Sequence, residues 1–213
     1  MDSQSIAHVH IVDDDASVRE SLEFLIKSLG WKAYTYKSAK DFLEGYSACG
    51  KDCLLLDVHL PDMSGLELQE IVNSQDLDVS TILMTGYGDV PTAVKAMKLG
   101  AVDFLEKPVD QQALVYRVRS CLELNERISN RKWENARRRR KLDTLTERER
   151  QILDQLIEGK LNKVIAADLG ISARTVEIHR AHIMKKLQVK SLAELVKLYM
   201  AANGNKGLTQ GRT

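Results

Sequence analysis

The 213-residue sequence predicts an α/β domain with a doubly wound, five-stranded parallel sheet, followed by a helical linker and a small all-α domain of four helices. In the first half, short apolar segments alternate with segments of helical spacing, which is typical of a parallel sheet with helices on both faces. In the second half, helix-start and helix-stop signals follow one another without a strand pattern. A change of charge between the halves supports a division into two domains.

Five segments of the first half are the predicted strands, because each is short, mostly apolar and lies between helical patterns. They lie at residues 7–12, 32–36, 53–58, 81–85 and 101–105. The predicted helices lie at 16–29, 38–46, 64–74, 91–99 and 110–124. Two of these helices begin with capping sequences, Ser64 with Glu67 and Ser38 with Asp41.

The charged stretch after the last of these helices is a predicted helical linker, because neither Pro nor Gly occurs between Val109 and Glu158. Three apolar residues recur at intervals of seven, but the series ends at Asn135, so a sustained coiled coil is not predicted. These residues are Leu114, Cys121 and Ile128. The predicted organisation is an α/β domain at 5–122, the linker at 123–141, a helical domain at 142–202 and a disordered tail at 203–213.

The net charge of +1 conceals two halves of opposite sign. Residues 1–122 have a net charge of −8, and residues 123–213 have a net charge of +9, so the second half is the candidate for binding a polyanion. On charge alone, two solvated faces of opposite sign remain an alternative. Cys49, Cys53 and Cys121 are an odd set without metal spacing, which indicates reduced thiols. With no apolar run of about 20 residues and no secretory pattern, the sequence predicts a cytoplasmic protein that does not contact membranes.

Acidic residues follow two predicted strands of the α/β domain. Asp13 and Asp14 follow the first strand and Asp57 ends the third, and the carboxyl ends of parallel strands meet at one edge of a sheet. A cluster of carboxylates supplies the oxygen ligands that Mg²⁺ prefers. Thr85 and Lys107, at the ends of the fourth and fifth strands, add a hydroxyl and a cation. A carboxylate in such surroundings can attack a phosphoryl donor.

Four motifs around these residues resemble the receiver domain of response regulators. They are IVDDD at 11–15, LLLDVHLPDMSG at 54–65, MTGYGD at 84–89 and GAVDFLEKP at 100–108. The resemblance implies that Asp57 accepts the phosphoryl group and that Thr85, Lys107 and Phe104 are switch residues. It also implies a metal site made of Asp13, Asp14, Asp57 and the backbone carbonyl of His59.

Two further positions near this site carry expectations of their own. Tyr87 lies two residues past Thr85, so we expect its side chain to cover the site and to slow hydrolysis of phosphorylated Asp57. Val109 stands where the family often has Phe after the Lys-Pro pair. This departure concerns the dimer surface and leaves the chemistry unaffected.

The second half has the layout of a helix-turn-helix, with helices at 162–169 and 173–187. One side of the second helix is apolar and must face the core, whereas Ile178 lies on the polar side, where contact with a thymine methyl would explain it. The remaining predicted DNA contacts are Lys163, Arg174, Thr175, Glu177, Ala181, His182, Lys185 and Lys186, with Lys190 also near phosphate. On this pattern alone, a structural bundle with a mixed solvated face remains an alternative.

Three motifs resemble the four-helix LuxR-type DNA-binding domain. They are LTERERQIL at 145–153, NKVIAADLGIS at 162–172 and TVEIHRAHIMKKL at 175–187. A LuxR-type domain joined to a receiver is typical of the NarL/FixJ class of response regulators. The amino-acid sequence of these motifs is similar to that of the FixJ branch. The resemblance implies that Glu147 shapes the core and that Glu177 and Ile178 meet base edges, while Ala181 departs from members with a long basic residue there. For residues 137–140, a solvated charge run is favoured over phosphate contact.

The sequence therefore predicts a phosphorylation-dependent, sequence-specific transcription regulator, and the FixJ likeness favours an activator. Its predicted partners are a sensor histidine kinase, double-stranded promoter DNA, RNA polymerase and a second copy of the chain after phosphorylation. Activation by dimerisation and activation by release of the DNA-binding domain both remain open. An enzyme, such as a metal-dependent phosphohydrolase, would need a substrate pocket and a second acid or base, and the strand ends show neither. The other alternative is a phosphorylation-independent DNA-binding protein with a vestigial receiver, which the intact site disfavours.

Overall fold

The computed structural model describes residues 6–86 and 90–203. The chain divides after Asn130 into two compact units, and each has its own hydrophobic core. Tyr87, whose side chain we expected to cover the acidic site, lies outside the described residues, as do residues 204–213 of the predicted tail. Of the helices that can be described, none has both the length and the apolar character needed to cross a membrane.

The first unit contains a five-stranded parallel sheet with the strand order β2-β1-β3-β4-β5, which confirms the predicted fold. The strands are β1 (His8–Val12), β2 (Lys32–Tyr36), β3 (Asp52–Asp57), β4 (Ser80–Thr85) and β5 (Asp103–Glu106). The helices are α1 (Ala16–Ser28), α2 (Ala39–Gly45), α3 (Gly65–Ser74), α4 (Val90–Lys98) and α5 (Gln111–Asp143).

The two central strands are buried on both faces of the sheet, which is why they read as continuous apolar runs. Successive side chains of a strand point to opposite faces, so Leu55 packs in the core with α1 and α5 while Leu54 and Leu56 pack in the core with α2, α3 and α4. The two cores hold the sheet rigidly, and the loops at its carboxyl edge are thereby positioned.

The fifth strand begins two residues later than predicted. The backbone N–H of Ala101 donates to the carbonyl of Ala96 and thus closes the end of α4, although Ala101 is buried like a strand residue. Gly100 adopts a φ of 82° at this helix end, as its predicted stop position requires. Burial alone could not distinguish this turn from a strand.

Helix α5 continues from the last predicted helix of the first domain through the predicted helical linker and reaches Asp143. The side-chain oxygen of Asn125 accepts the N–H of Asp52 at 2.7 Å, and the hydroxyl of Ser129 donates to the carboxylate of Asp78. The first part of the predicted linker therefore packs on the first unit. Ile128, the last of the predicted heptad positions, is exposed.

The second unit consists of the end of α5 and four further helices. They are α6 (Glu147–Ile157), α7 (Asn162–Leu169), α8 (Ala173–Leu187) and α9 (Leu192–Asn203). The bounds of α7 and α8 are those predicted. The cap position of α7 is Leu161, without a side-chain hydrogen bond, and the Asn162 amide oxygen accepts from Arg180 at 2.6 Å.

The buried acid at the start of α6 is Glu149. The family resemblance had implied that Glu147 would shape the core at this position. Glu149 forms a reciprocal capping box with Thr146, and its carboxylate also accepts from the ammonium of Lys186 at 2.6 Å. Glu147 is exposed, so the expectation for it was wrong. The two glutamates are two residues apart, so the helix turns them to different sides, and only Glu149 reaches α8.

We expect Glu149→Ala to destabilise the second unit by about 1–2 kcal/mol, because it removes half of a reciprocal helix cap and the ion pair with Lys186. Hydrogen exchange of α6 and α8 in the full-length protein measures the loss, and Glu147→Ala is the matched control with little change. Burial raises the pKa of Glu149, but the hydrogen bonds from Lys186 and Thr146 lower it overall. A carboxylate with a lowered pKa stabilises above its unfolded pKa of about 4.3, so the difference from wild type should disappear as the pH falls below that value. A difference that persists in strong acid would contradict the assigned ion pair.

Candidate functional site

Three carboxylates converge at the carboxyl edge of the sheet, as predicted. Asp13 and Asp14 follow β1, and Asp57 is the last residue of the neighbouring strand β3. One oxygen of each lies within 4.8 Å of the others. Asp13 and Asp57 are buried, whereas Asp14 is exposed to solvent.

Lys107 joins this cluster from the end of β5. Its ammonium lies 2.6 Å from Oδ2 of Asp13 and 2.7 Å from Oδ2 of Asp57. Burial lowers the pKa of Lys107, but its hydrogen bonds to Asp13 and Asp57 raise it overall, so the side chain is charged at neutral pH. Burial also raises the pKa of Asp13, although Lys107 and the Asp15 backbone partly oppose the rise. One ammonium thus serves two acids that come from different strands.

The loop between β3 and α3 holds Asp57 in place. The N–H of His59 donates to Oδ1 of Asp57 at 3.2 Å, and the N–H of Gly65 donates to the carbonyl of Val58 at 2.8 Å. The carboxylate of Asp62 accepts the N–H groups of Ala39 and Lys40 at the start of α2. The loop is therefore fixed at both ends, and Asp57 is held by backbone contacts as well as by Lys107.

Thr85 and Phe104 lie on the adjacent strands. Thr85 is fully buried at the end of β4, and its carbonyl accepts the N–H of Lys107 at 2.7 Å. Phe104 is half-buried and packs against the core on the α2, α3 and α4 face. The backbone of Thr85 therefore contacts Lys107, whose ammonium reaches the acids. Phe104 lies on β5, the strand next to that of Thr85.

The chemistry of this cluster fits a hard divalent cation. Three carboxylates and one ammonium leave an excess of two negative charges if all are ionised, and oxygen donors of this kind suit Mg²⁺. Asp14 is the exposed member and faces the solvent from which an ion would enter. The acidic pocket is compatible with Mg²⁺, as the sequence predicted.

In the second unit, α7 and α8 form a helix-turn-helix with Gly170 in the left-handed region, at a φ of 63°. Val176, Ile183 and Leu187 are buried, as their spacing predicted. The predicted base-facing residues of α8 are all exposed, and Ile178 keeps 46% of its surface in solvent. They are Arg174, Glu177, Ile178, Ala181, His182 and Lys185.

The remaining predicted DNA contacts differ in their surroundings. Lys163 is exposed on α7, whereas the ammonium of Lys186 is held by the buried carboxylate of Glu149. Arg174 forms an exposed ion pair with Glu177 at 3.2 Å. The geometry therefore favours Lys163 and Lys185 over Lys186 for contact with phosphates.

The sequence reasoning missed the polar contacts that hold this unit together. Arg148 donates to the carbonyl of Leu169 at 2.6 Å, which ties α6 to the end of α7. Arg180 donates to Asn162, which ties α8 to the start of α7. Both arginines read as ordinary surface charges in the sequence: Arg148 has no acid at i±3 or i±4, and Arg180 is three residues from Glu177, a spacing that suggests a surface ion pair within the helix.

Two family models match the chain, one for each half. The response regulator receiver domain matches residues 9–119, and the LuxR family of bacterial regulatory proteins matches residues 143–199. The transcriptional regulatory protein FixJ of Azorhizobium caulinodans is 44% identical over 194 residues, which cover 91% of this chain and 92% of that protein.

Two solved structures are similar over nearly the whole chain. The response regulator StyR has a TM-score of 0.80 and 41% identity, covering 91% of this chain and 98% of that one. Full-length FixJ from B. japonicum has a TM-score of 0.55 and 40% identity, covering 92% of this chain and 97% of that one.

Proposed function

We propose a mechanism for this chain from one premise: it belongs to the response regulators that join a receiver domain to a LuxR-type DNA-binding domain. Its relatives are transcriptional response regulators and not metabolic enzymes, and the chain is a phosphorylation-dependent transcription regulator of the same kind. We propose below which residues perform this function, which partners the chain binds and in which direction it regulates transcription.

Asp57 is the proposed phosphoryl acceptor, and the observation that carries the assignment is its place beside both Lys107 and the two acids of β1. An oxygen of Asp57 attacks the phosphorus of a phosphohistidine on the sensor kinase, the P–N bond breaks, and the imidazole leaves. Lys107 neutralises charge on the transferring group. Asp13, Asp14, Asp57 and the His59 carbonyl would hold Mg²⁺, which when bound adds further neutralisation.

Thr85, Lys107 and Phe104 are the proposed switch residues. The acyl phosphate carries a charge of about −2, which is about one negative charge more than the carboxylate that it replaces, and the Thr85 hydroxyl and the Lys107 ammonium are drawn to it. Phe104 then moves toward the space that Thr85 leaves, and the surface at residues 91–110 changes. We expect a receiver dimer to form, the DNA-binding domain to be released, or both.

Helix α8 is the proposed recognition helix. Glu177 and Ile178 would meet base edges in the major groove, and a dimer would place two such helices about one helical turn apart on the DNA. Ala181 is too short to reach a base polar group, so one contact found in relatives with a basic residue there is absent. Arg174, Thr175, Lys163, His182 and Lys185 would contact the backbone or flanking bases.

The chain is proposed to act in the cytoplasm, where promoter DNA and the kinase domain of a sensor are both accessible. The FixJ likeness favours activation of transcription through contact with RNA polymerase. The thiols of Cys49, Cys53 and Cys121 are free, which agrees with a reducing compartment.

The test of this function is to sequence the DNA retained by the full-length protein with and without beryllofluoride, which mimics the phosphoryl group. We expect one recognition sequence, bound at least about fivefold more tightly with beryllofluoride, since couplings of this kind are typically 1–3 kcal/mol. Equal affinity in both conditions would instead favour the phosphorylation-independent alternative.

Removal of divalent cations is expected to stop phosphorylation by a small donor such as acetyl phosphate. The two negative charges left over in the acidic cluster would repel the incoming phosphate. Intact-protein mass spectrometry with Mg²⁺ or with EDTA measures the adduct. Equal phosphorylation in both would contradict the proposed metal site.

Two substitutions on α8 distinguish contacts that recognise the base sequence from contacts that depend on charge. We expect Ile178→Ala to weaken specific binding by about 1 kcal/mol without changing its salt dependence, because the side chain is apolar. Lys185→Ala should weaken binding to all DNA sequences alike. It should also reduce the slope of log K against log salt concentration by about one. Binding isotherms at several salt concentrations distinguish the two, and the same response from both variants would contradict the docking of this face.

A further inference from the structure

A second cluster of ligand-type side chains lies at the opposite edge of the sheet from Asp57. His8 begins β1, Asp52 begins β3, and the two residues pair directly across the strands. His10 lies two residues along β1, on the same face as His8. This edge has no part in the phosphorylation chemistry proposed above.

The three side chains bring two imidazole nitrogens to one carboxylate oxygen. Nε2 of His10 lies 3.1 Å from Oδ1 of Asp52, Nδ1 of His8 lies 3.8 Å from the same oxygen, and the three ligand atoms all lie within 4.8 Å of one another. Ligands bound at 2.0–2.2 Å around a tetrahedral Zn²⁺ are about 3.3 Å apart. The observed separations bracket that value, so an ion fits after small side-chain movements.

We propose that His8, His10 and Asp52 bind a divalent transition-metal ion of the Zn²⁺ type, with water in the fourth position. Two imidazoles and one carboxylate are a donor set that suits Zn²⁺ better than Mg²⁺, which prefers oxygen ligands alone. The site is therefore chemically distinct from the acidic cluster at the other edge.

His10 and Asp52 are held in orientation by groups that would not bind the ion. Nδ1 of His10 lies 3.2 Å from the Tyr36 hydroxyl, so it can donate there when Nε2 binds a metal. This exchange moves the ring proton from Nε2 to Nδ1, so the imidazole keeps one N–H group and the hydrogen bond that this group donates. Oδ2 of Asp52 accepts the N–H groups of Cys49 and Gly50 at 2.8 and 2.9 Å, which leaves Oδ1 for the ion.

Aromatic rings close the space around His10. The Tyr34 ring stacks on the imidazole at 5.2 Å between centroids, and the rings of Phe42 and Tyr46 meet it edge-on at 5.9 and 5.1 Å. His10 therefore has little freedom to rotate away, and the loss of entropy on binding an ion is small.

His8 distinguishes a metal site from a purely structural His10–Asp52 pair. Nδ1 of His8 is buried and has no hydrogen-bond partner within residues 6–86 and 90–203, although it points to Asp52. About 15% of the side chain is exposed, which gives an ion a route of entry.

The test adds Zn²⁺ to tag-free, full-length protein in excess Mg²⁺ and measures the Kd by competition with a chromogenic chelator. We expect one tight site in wild type and at least a tenfold weaker Kd in His8→Ala and in His8→Gln, which better preserves the side-chain volume. Cys49→Ser removes a nearby thiol that is not a ligand, and Asp14→Asn disables the opposite edge, so both should bind as wild type does. Circular dichroism and thermal unfolding without added metal show that each His8 variant is folded.

The outcomes separate the two edges of the sheet. Tight binding that is retained without His8, lost in Asp14→Asn, lost in Cys49→Ser, or missing from wild type would overturn the proposal. Anomalous scattering at the zinc edge should place the ion between His8 and His10. None of these results depends on the proposed role of Asp57 in phosphorylation.

Discussion

Asp57→Asn is expected to remove the acyl phosphate completely and, with it, the gain in DNA affinity that a phosphoryl donor produces. An amide cannot act as the carboxylate nucleophile, so the P–O bond does not form. The lost gain in affinity should equal the whole coupling, which is typically 5–150-fold. Intact-protein mass and DNA-binding isotherms, with and without acetyl phosphate, measure both effects.

The fold should survive this substitution, because Asn can still accept a hydrogen bond from Lys107 and one of the clustered negative charges is removed. Asp15→Asn is a matched control at the same edge. Asp15 caps α1 by accepting the N–H of Ser17, a role that Asn also fills. A phosphorylated Asp57→Asn protein, or an Asp15→Asn protein that cannot be phosphorylated, would contradict the assignment of the acceptor.

Gly65→Ala is expected to destabilise the first unit by about 3 kcal/mol or more. A Cβ at Gly65 would lie 2.1 Å from the backbone carbonyl oxygen of Asp57 and 3.0 Å from Cα of Val58. Backbone atoms cannot turn aside as a flexible side chain can, so either α3 or the end of β3 must shift. Because Asp57 ends β3, the same shift should slow phosphorylation.

Chemical denaturation followed by tryptophan fluorescence in a Trp133→Phe background, which leaves Trp31 as the remaining tryptophan, measures the stability of the first unit. Gly86→Ala is the control, since no heavy atom of residues 6–86 and 90–203 lies within 4 Å of its added Cβ and its backbone is not in the left-handed region. A cost below about 1 kcal/mol for Gly65→Ala, or equal costs for the two variants, would show that the β3–α3 loop is not packed as described.

Local patterns predicted most of the secondary structure because the forces behind them act between neighbours in the chain. The capping box of Ser64 and Glu67 forms as its spacing indicated. The order of apolar strands predicted the parallel sheet and hence the meeting of Asp13 with Asp57. The absence of Gly and Pro after residue 109 predicted the helical linker into which α5 continues.

Contacts between distant segments were beyond the reach of such patterns. Nothing local indicates that Asn125 accepts from Asp52, or that Glu149 rather than Glu147 meets Lys186. The cluster of His8, His10 and Asp52 was also missed. Histidines two residues apart on a buried strand look like ordinary core residues until the pairing of β1 with β3 brings Asp52 beside them.

The sequence by itself determined the class of this protein, the order of its elements and the acids proposed to carry its chemistry, because apolar periodicity, capping and strand-end position are properties of short segments. The tertiary structure decided which charges are paired: Lys107 bridges two acids, and Lys186 pairs with Glu149. Pairing depends on distances of a few ångströms between residues far apart in the chain, and only the packed fold sets those distances.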